Sequence, residues 1–112
     1  MKKLKRADCE VLPLVLKGKW FDMIKSGEKR EEYRTSKKVC GMVERWWGRT
    51  VIYHKTPVVV FYRGYSKGRD SVAMRSGHSS PSWSKVCIRP QWGEPECPHM
   101  VIPLGEQVEL ED

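Results

Sequence analysis

No run of apolar residues in this chain approaches the roughly 20 needed to cross a bilayer. The basic start, Met1-Lys2-Lys3-Leu4-Lys5-Arg6, has no apolar stretch behind it, so the expectation is a cytoplasmic protein with no secretory signal and no membrane partner. Close cysteine pairs are missing too. Cys9, Cys40, Cys87 and Cys97 are irregularly spaced, and the nearest approach to a ligand pattern, Cys97-Pro98-His99, sets a proline between the two ligands. Free thiols are expected, with no metal and no cofactor. No repeat, coiled coil, interdomain linker or phosphate-loop pattern is present, which argues against nucleotide hydrolysis of the phosphate-loop type. His54, His78 and His99 have no partner at a telling spacing. A nucleophilic pairing of His78 with Ser79 or Ser82 is formally available, but a serine-rich stretch reads more simply as a connection.

Aromatics and positive charge are plentiful. Five Trp, four Tyr and two Phe bury large areas each, enough to give 112 residues a small core without staples. A single domain over residues 1–112 is expected, with loose ends at 1–10 and 107–112. Twenty-one Lys and Arg against 14 Asp and Glu leave a net charge of +7, which favours a polyanionic partner.

The patterning predicts a mixture of strands and short helices, an α+β chain. Val11 to Leu16 reads as a buried strand, and Pro13 within it points to a sheet edge or a bulge. A helix follows over residues 18–26, with Trp20, Met23 and Ile24 toward the core and Phe21 flanking. Val39, Met42, Val43 and Trp46 share one face of a second helix ending near Gly48; Trp47 cannot face the same way and either packs on another element, the favoured reading, or stacks on a ligand. Residues 50–54, 58–62, 71–74, 84–89 and 100–104 read as strands, with Lys55-Thr56-Pro57 a tight connection.

The densest chemistry lies in Gly27-Glu28-Lys29-Arg30-Glu31-Glu32-Tyr33-Arg34. Gly27 fits the C-terminus of the first helix, where the chain enters a left-handed conformation cheap only for glycine. If the chain then runs extended, Glu32 and Arg34 fall on one face. Lys29, at the bend, has a stem long enough to reach them. One carboxylate between two cations can hold a planar polar ligand by charge-assisted hydrogen bonds or tune a lysine for chemistry. The alternative is a surface ladder of ion pairs, worth little energetically. A second cluster, Arg63-Gly64-Tyr65-Ser66-Lys67-Gly68-Arg69, interleaves cations that can meet phosphates with an aromatic face that can meet a base.

The motif G-x-K-x-x-E-x-R after the helix containing Trp20-Phe21-Asp22-Met23-Ile24 resembles the ASCH family, a branch of the PUA-like superfamily of small β-barrels. Residues 12–17, Phe61-Tyr62-Arg63-Gly64-Tyr65, Trp92-Gly93-Glu94-Pro95 and residues 101–106 resemble the family's first strand, an aromatic strand end, its closing loop and its last strand. The resemblance covers most of residues 11–106. It implies a small PUA-like β-barrel with two or so short helices, and a cleft that receives RNA or a nucleobase over a floor of Lys29, Glu32 and Arg34. The ligand-binding candidates are then Lys17, Trp20, Lys29, Glu32, Arg34, Arg63, Tyr65 and Trp92, with Trp20, Tyr65 and Trp92 as rims.

Three functions are compatible with these residues. The first is a binding module for RNA, a nucleotide or a modified nucleoside, with single-stranded DNA as a further candidate partner. The second is a hydrolase acting on RNA or acylated cytidine, with Lys29 the central catalytic group, its pKa lowered by Arg34 and burial, and Glu32 accepting a proton. Small bacterial relatives that cleave acetylated cytidine use the motif lysine, a threonine three residues on and a distant glutamate; here Glu32 stands at the threonine position. The third is an accessory domain for an unspecified protein partner, with Trp47 or Trp83 exposed at its interface.

Overall fold

The computed structural model describes residues 1–77 and 79–112; His78, and with it the pairing of His78 with Ser79 or Ser82, lies outside the described residues. The chain is an α+β fold of two helices and a seven-stranded mixed sheet. In chain order the elements are β1 (Lys2–Lys5), β2 (Cys9–Leu16), α1 (Gly18–Lys25), β3 (Glu31–Arg34), α2 (Lys37–Tyr53), β4 (Thr56–Arg63), β5 (Ser71–Ser76), β6 (Ser82–Ser84) and β7 (His99–Glu111). The sheet runs β1-β7-β5-β4-β2, and β3 and β6 pair with the N-terminal part of β7. Pro13 is tolerated because β2 lies at the sheet edge, pairing among the described residues only with β4.

β4 is inside on both faces, as its unbroken Val58-Val59-Val60-Phe61 run requires. Val59 and Phe61 face the main core with Leu12, Leu14, Phe21, Val43 and Trp46. Val58 and Val60 turn the other way, toward Cys9 and Val108. The two helices cover the main-core face. Trp46 is fully buried on α2 and its indole Nε1 donates to the Glu10 carbonyl at 2.8 Å, so the ring's one polar atom is satisfied. Trp47 packs edge-on against it, 5.9 Å between ring centroids.

The elements differ from the expected ones in several places. The ends, residues 1–10 and 107–112, carry paired strands: β1 pairs in parallel with Val108 to Glu111, and the basic start meets the acidic end through Lys3–Glu111 and Arg6–Asp112. Residues 50–53 are not a strand but the last turn of α2, which runs through Gly48. Thr50 continues the buried face of Val43 and Trp46, its hydroxyl donates to the Trp47 carbonyl, and His54 closes the helix at φ 54°. On α1 it is Phe21 and Ile24 that are buried, while Trp20 is half-exposed. Residues 85–89 form an irregular strap after the short β6, and β7 extends far beyond the expected segment.

No helix among the described residues is long and apolar enough to cross a membrane.

Candidate functional site

The local sequence builds the floor of a cleft. Gly27 follows α1 at φ +87°, its N–H bonded to the Ile24 carbonyl, and the Lys29 N–H bonds back to Met23. This turn aims Lys29 inward. β3 then presents Glu32 and Arg34 on one face, as strand alternation demands. Lys29 and Glu32 are nearly inaccessible, their side chains 2% and 5% exposed. Lys29 Nζ donates to the Trp92 carbonyl at 2.6 Å and stands 3.5 Å from Glu32 Oε1. Arg34 binds the other oxygen, with Nε and Nη2 each 2.9 Å from Glu32 Oε2, and Nη2 also donates to the Val15 carbonyl at 2.9 Å. Three elements distant in sequence, the end of β2, the turn-and-strand of the motif and the loop at Trp92, are thereby joined through one buried carboxylate.

Aromatic rings wall in the Lys29 ammonium, which lies 4.6 Å from the Tyr33 ring centroid and 5.3 Å from that of Trp20. Cations also cap the outer rings, with Lys19 over Trp20 at 4.7 Å and Arg89 over Trp92 at 5.2 Å. The open space between these walls is about 430 Å³, within the size range of small-molecule sites. Gly93 sits in the wall at φ +129°, with the Trp20 and Tyr33 rings within 4.0 Å of where a Cβ would project. A side chain there would strain the backbone and stand against both rings.

Burial lowers the Lys29 pKa from its ordinary value; the Glu32 charge and hydrogen bond oppose that shift, and Arg34 adds a lesser push downward. The direction is the one expected, but burial dominates. The Tyr33 hydroxyl is held well above its usual range by burial and by its 2.8 Å bond to Glu31.

Of the eight sequence-derived ligand candidates, Lys17, Trp20, Lys29, Glu32, Arg34 and Trp92 line this cleft. Arg63 and Tyr65 do not. Arg63 turns back to Asp22 on α1 at 3.3 Å, and Tyr65 projects from the following turn, 85% exposed. Arg69 of the same loop folds over the Tyr62 ring and donates to Gly64. Tyr33 and Glu94 line the cleft without having been singled out. Tyr33 lies inside the motif, but strict alternation assigns it to the face opposite Glu32; its proximity to Lys29 depends on how the preceding turn comes round. Glu94 belongs to the stretch read only as a closing loop.

Cys97 Sγ lies 3.7 Å from His99 Nδ1, and no group of three His, Cys, Asp or Glu side chains suited to a metal ion occurs among the described residues. Cys9 and Cys40 are buried, Cys87 and Cys97 exposed, all four as free thiols. Comparisons with protein-family models, characterised proteins and solved structures give no match to this chain.

Proposed function

We propose that the chain is an ASCH-type, PUA-like module that binds RNA, a nucleotide or a modified nucleobase in the cleft above Lys29, Glu32 and Arg34. The observation that carries this reading is a buried carboxylate held between two cations on the floor of an aromatic-walled cleft. A planar ring can stack between Trp20 and Trp92 while its edge meets Glu32 as acceptor and the cations as donors. Glu32 Oε1, whose only side-chain partner among the described residues is Lys29 at 3.5 Å, is the oxygen best placed to accept from a ligand N–H. Exposed Lys17 and Lys19 at the mouth add phosphate attraction, consistent with the chain's net positive charge. Single-stranded DNA offers the same rings and phosphates and belongs to the same proposal.

The β-barrel is the finer part of the fold proposal. β7 supports it by serving two groups of strands, pairing with β3 and β6 through residues 99–103 and with β5 and β1 through residues 104–111. An irregular register between Met74 and Ser76 marks a bend in the neighbouring strand.

A second reading, hydrolysis of RNA or acylated cytidine, draws on the lowered pKa of Lys29 beside Glu32. Native and denaturing gels of one labelled structured RNA separate the two. Shifted but intact RNA, released by added salt and lost in Arg34→Ala, is the expected result. Shortened RNA that requires Lys29 supports the enzyme. Salt-insensitive binding refutes the binding module, and no effect on RNA, nucleotides and acylated cytidine alike refutes both.

A further inference from the structure

Beyond the Tyr33 wall lies a second hollow, of about 270 Å³. Its floor is the outer face of β3, β7 and β6, where Tyr33, Val101 and Ser82 stand in register across three strands. The strap after β6 forms its side and carries Val86 and Ile88, which are 59% and 72% exposed. Branched apolar side chains this open, grouped at the edge of a hollow, mark a surface made for contact. Two residues tie this hollow to the cleft. Tyr33 lines both. Arg89 lines the hollow, 3.7 Å from Glu31, and its guanidinium also caps the Trp92 ring that walls the cleft.

Resting on the reading that the cleft takes one base, we infer that the cleft and the hollow form a two-nucleotide site, in which the neighbouring base of the same single strand lies in the hollow against Val86 and Ile88. Continuity through Tyr33 makes the two spaces adjacent. Arg89, at the boundary between them, is the cation available to the phosphate that joins consecutive nucleotides. Glu31, which accepts from the Tyr33 hydroxyl, is balanced by Arg89 and offers an acceptor to an exocyclic amino group. The ligand class is therefore a single-stranded oligonucleotide rather than a free base. Trp83 also lines the hollow and is 52% exposed, and stacking of a second base on an aromatic ring adds about tenfold or more in affinity.

The test titrates the full chain with the four RNA homodinucleotides and the matching nucleoside monophosphates, read by tryptophan fluorescence. At least one dinucleotide binds about tenfold or more tightly than its monophosphate, and Trp83→Ser combined with Ile88→Ser collapses that ratio toward one. Arg89→Gln reduces the salt dependence of dinucleotide binding. Trp83 and Ile88 are outside the core, so circular dichroism checks that the variant remains folded. Monophosphates that bind while every ratio stays near one overturn the two-nucleotide site and leave the cleft reading standing. The same ratios near one, with self-association that the same double substitution abolishes, also overturn it and assign the patch to a protein contact. No binding by either ligand class removes the cleft reading and the inference together.

Discussion

Removing the negative member of the buried triad destabilises this protein more than removing one of the positive members. In Glu32→Gln the shape is kept but Lys29 and Arg34 are left facing each other across a neutral amide. Lys29 is 2% exposed and has no other acid within 4 Å among the described residues, so its charge loses its only close counter-ion. Breaking a buried pair in this way costs about 3–5 kcal/mol. In Lys29→Met the volume is nearly kept and Glu32 retains Arg34 at 2.9 Å, so the remaining charges balance. What is lost is chiefly the donor to the Trp92 carbonyl, and an unsatisfied group of that kind costs about 1–3 kcal/mol. At about 4 °C per kcal/mol for a chain of this size, Glu32→Gln lowers Tm by about 12–20 °C and Lys29→Met by about 4–12 °C. Thermal unfolding reads both Tm shifts and urea denaturation at neutral pH both free energies, with the double variant completing the cycle. Once Lys29 is neutral, Glu32→Gln costs less than it does in the wild type, so the double variant loses less than the sum. Equal costs, or a larger loss for Lys29→Met, refute the assignment of Glu32 as the charge that holds the triad.

The thiols divide by burial: Cys87 and Cys97 react with a thiol reagent in the folded protein, while Cys9 and Cys40, whose pKa values burial raises, react only after denaturation. A fast phase of more or fewer than two thiols contradicts this arrangement. Alkaline stability carries the signature of Lys29. Its folded pKa lies below the ordinary 10.5, so through that window the unfolded chain holds a proton the folded chain has released, and this group makes folding more favourable as pH rises. Tyr33 acts oppositely above about pH 10, where the folded chain keeps a proton that the unfolded chain loses. Subtracting the stability profile of Lys29→Met from that of the wild type isolates the rising contribution; a flat or falling difference up to pH 10.5 contradicts the shift.

The parts of the site legible in sequence were those set by local geometry. A glycine at a helix end and the two-residue period of a strand suffice to bring Lys29, Glu32 and Arg34 together within one short segment. The loop at Arg63 and Tyr65 had the same chemical signature, but Arg63 is claimed by Asp22 from another element, a competition that charge and aromatic content do not reveal. The extension of α2 was recoverable in principle. Thr50 continues the spacing of Val43 and Trp46, and only the β-branched character of residues 50–52 suggested a strand. Pairing of β1 with β7 was not recoverable from periodicity, because it joins opposite ends of the chain.

The triad is a poor choice if stability alone shaped the cleft. A buried charge cluster gives little net stabilisation, because desolvation offsets most of its internal attraction, and apolar side chains of similar volume serve as well. Lys29→Met combined with Glu32→Leu is such a replacement. Arg34 keeps its bond to the Val15 carbonyl and is partly open to water, so it is not stranded. The apolar pair packs against Trp20 and Tyr33, which offsets the cost of the Trp92 carbonyl that Lys29 no longer satisfies, and stability stays within about 2 kcal/mol of the wild type by urea denaturation. Binding of RNA or nucleotide falls to background in the gel assay, since both the acceptor and the central donor are gone. A folded double variant that still binds with wild-type affinity shows that the ligand never touches these residues. A variant that is both unfolded and inactive makes the triad a structural element and refutes the near-neutral cost of the apolar replacement.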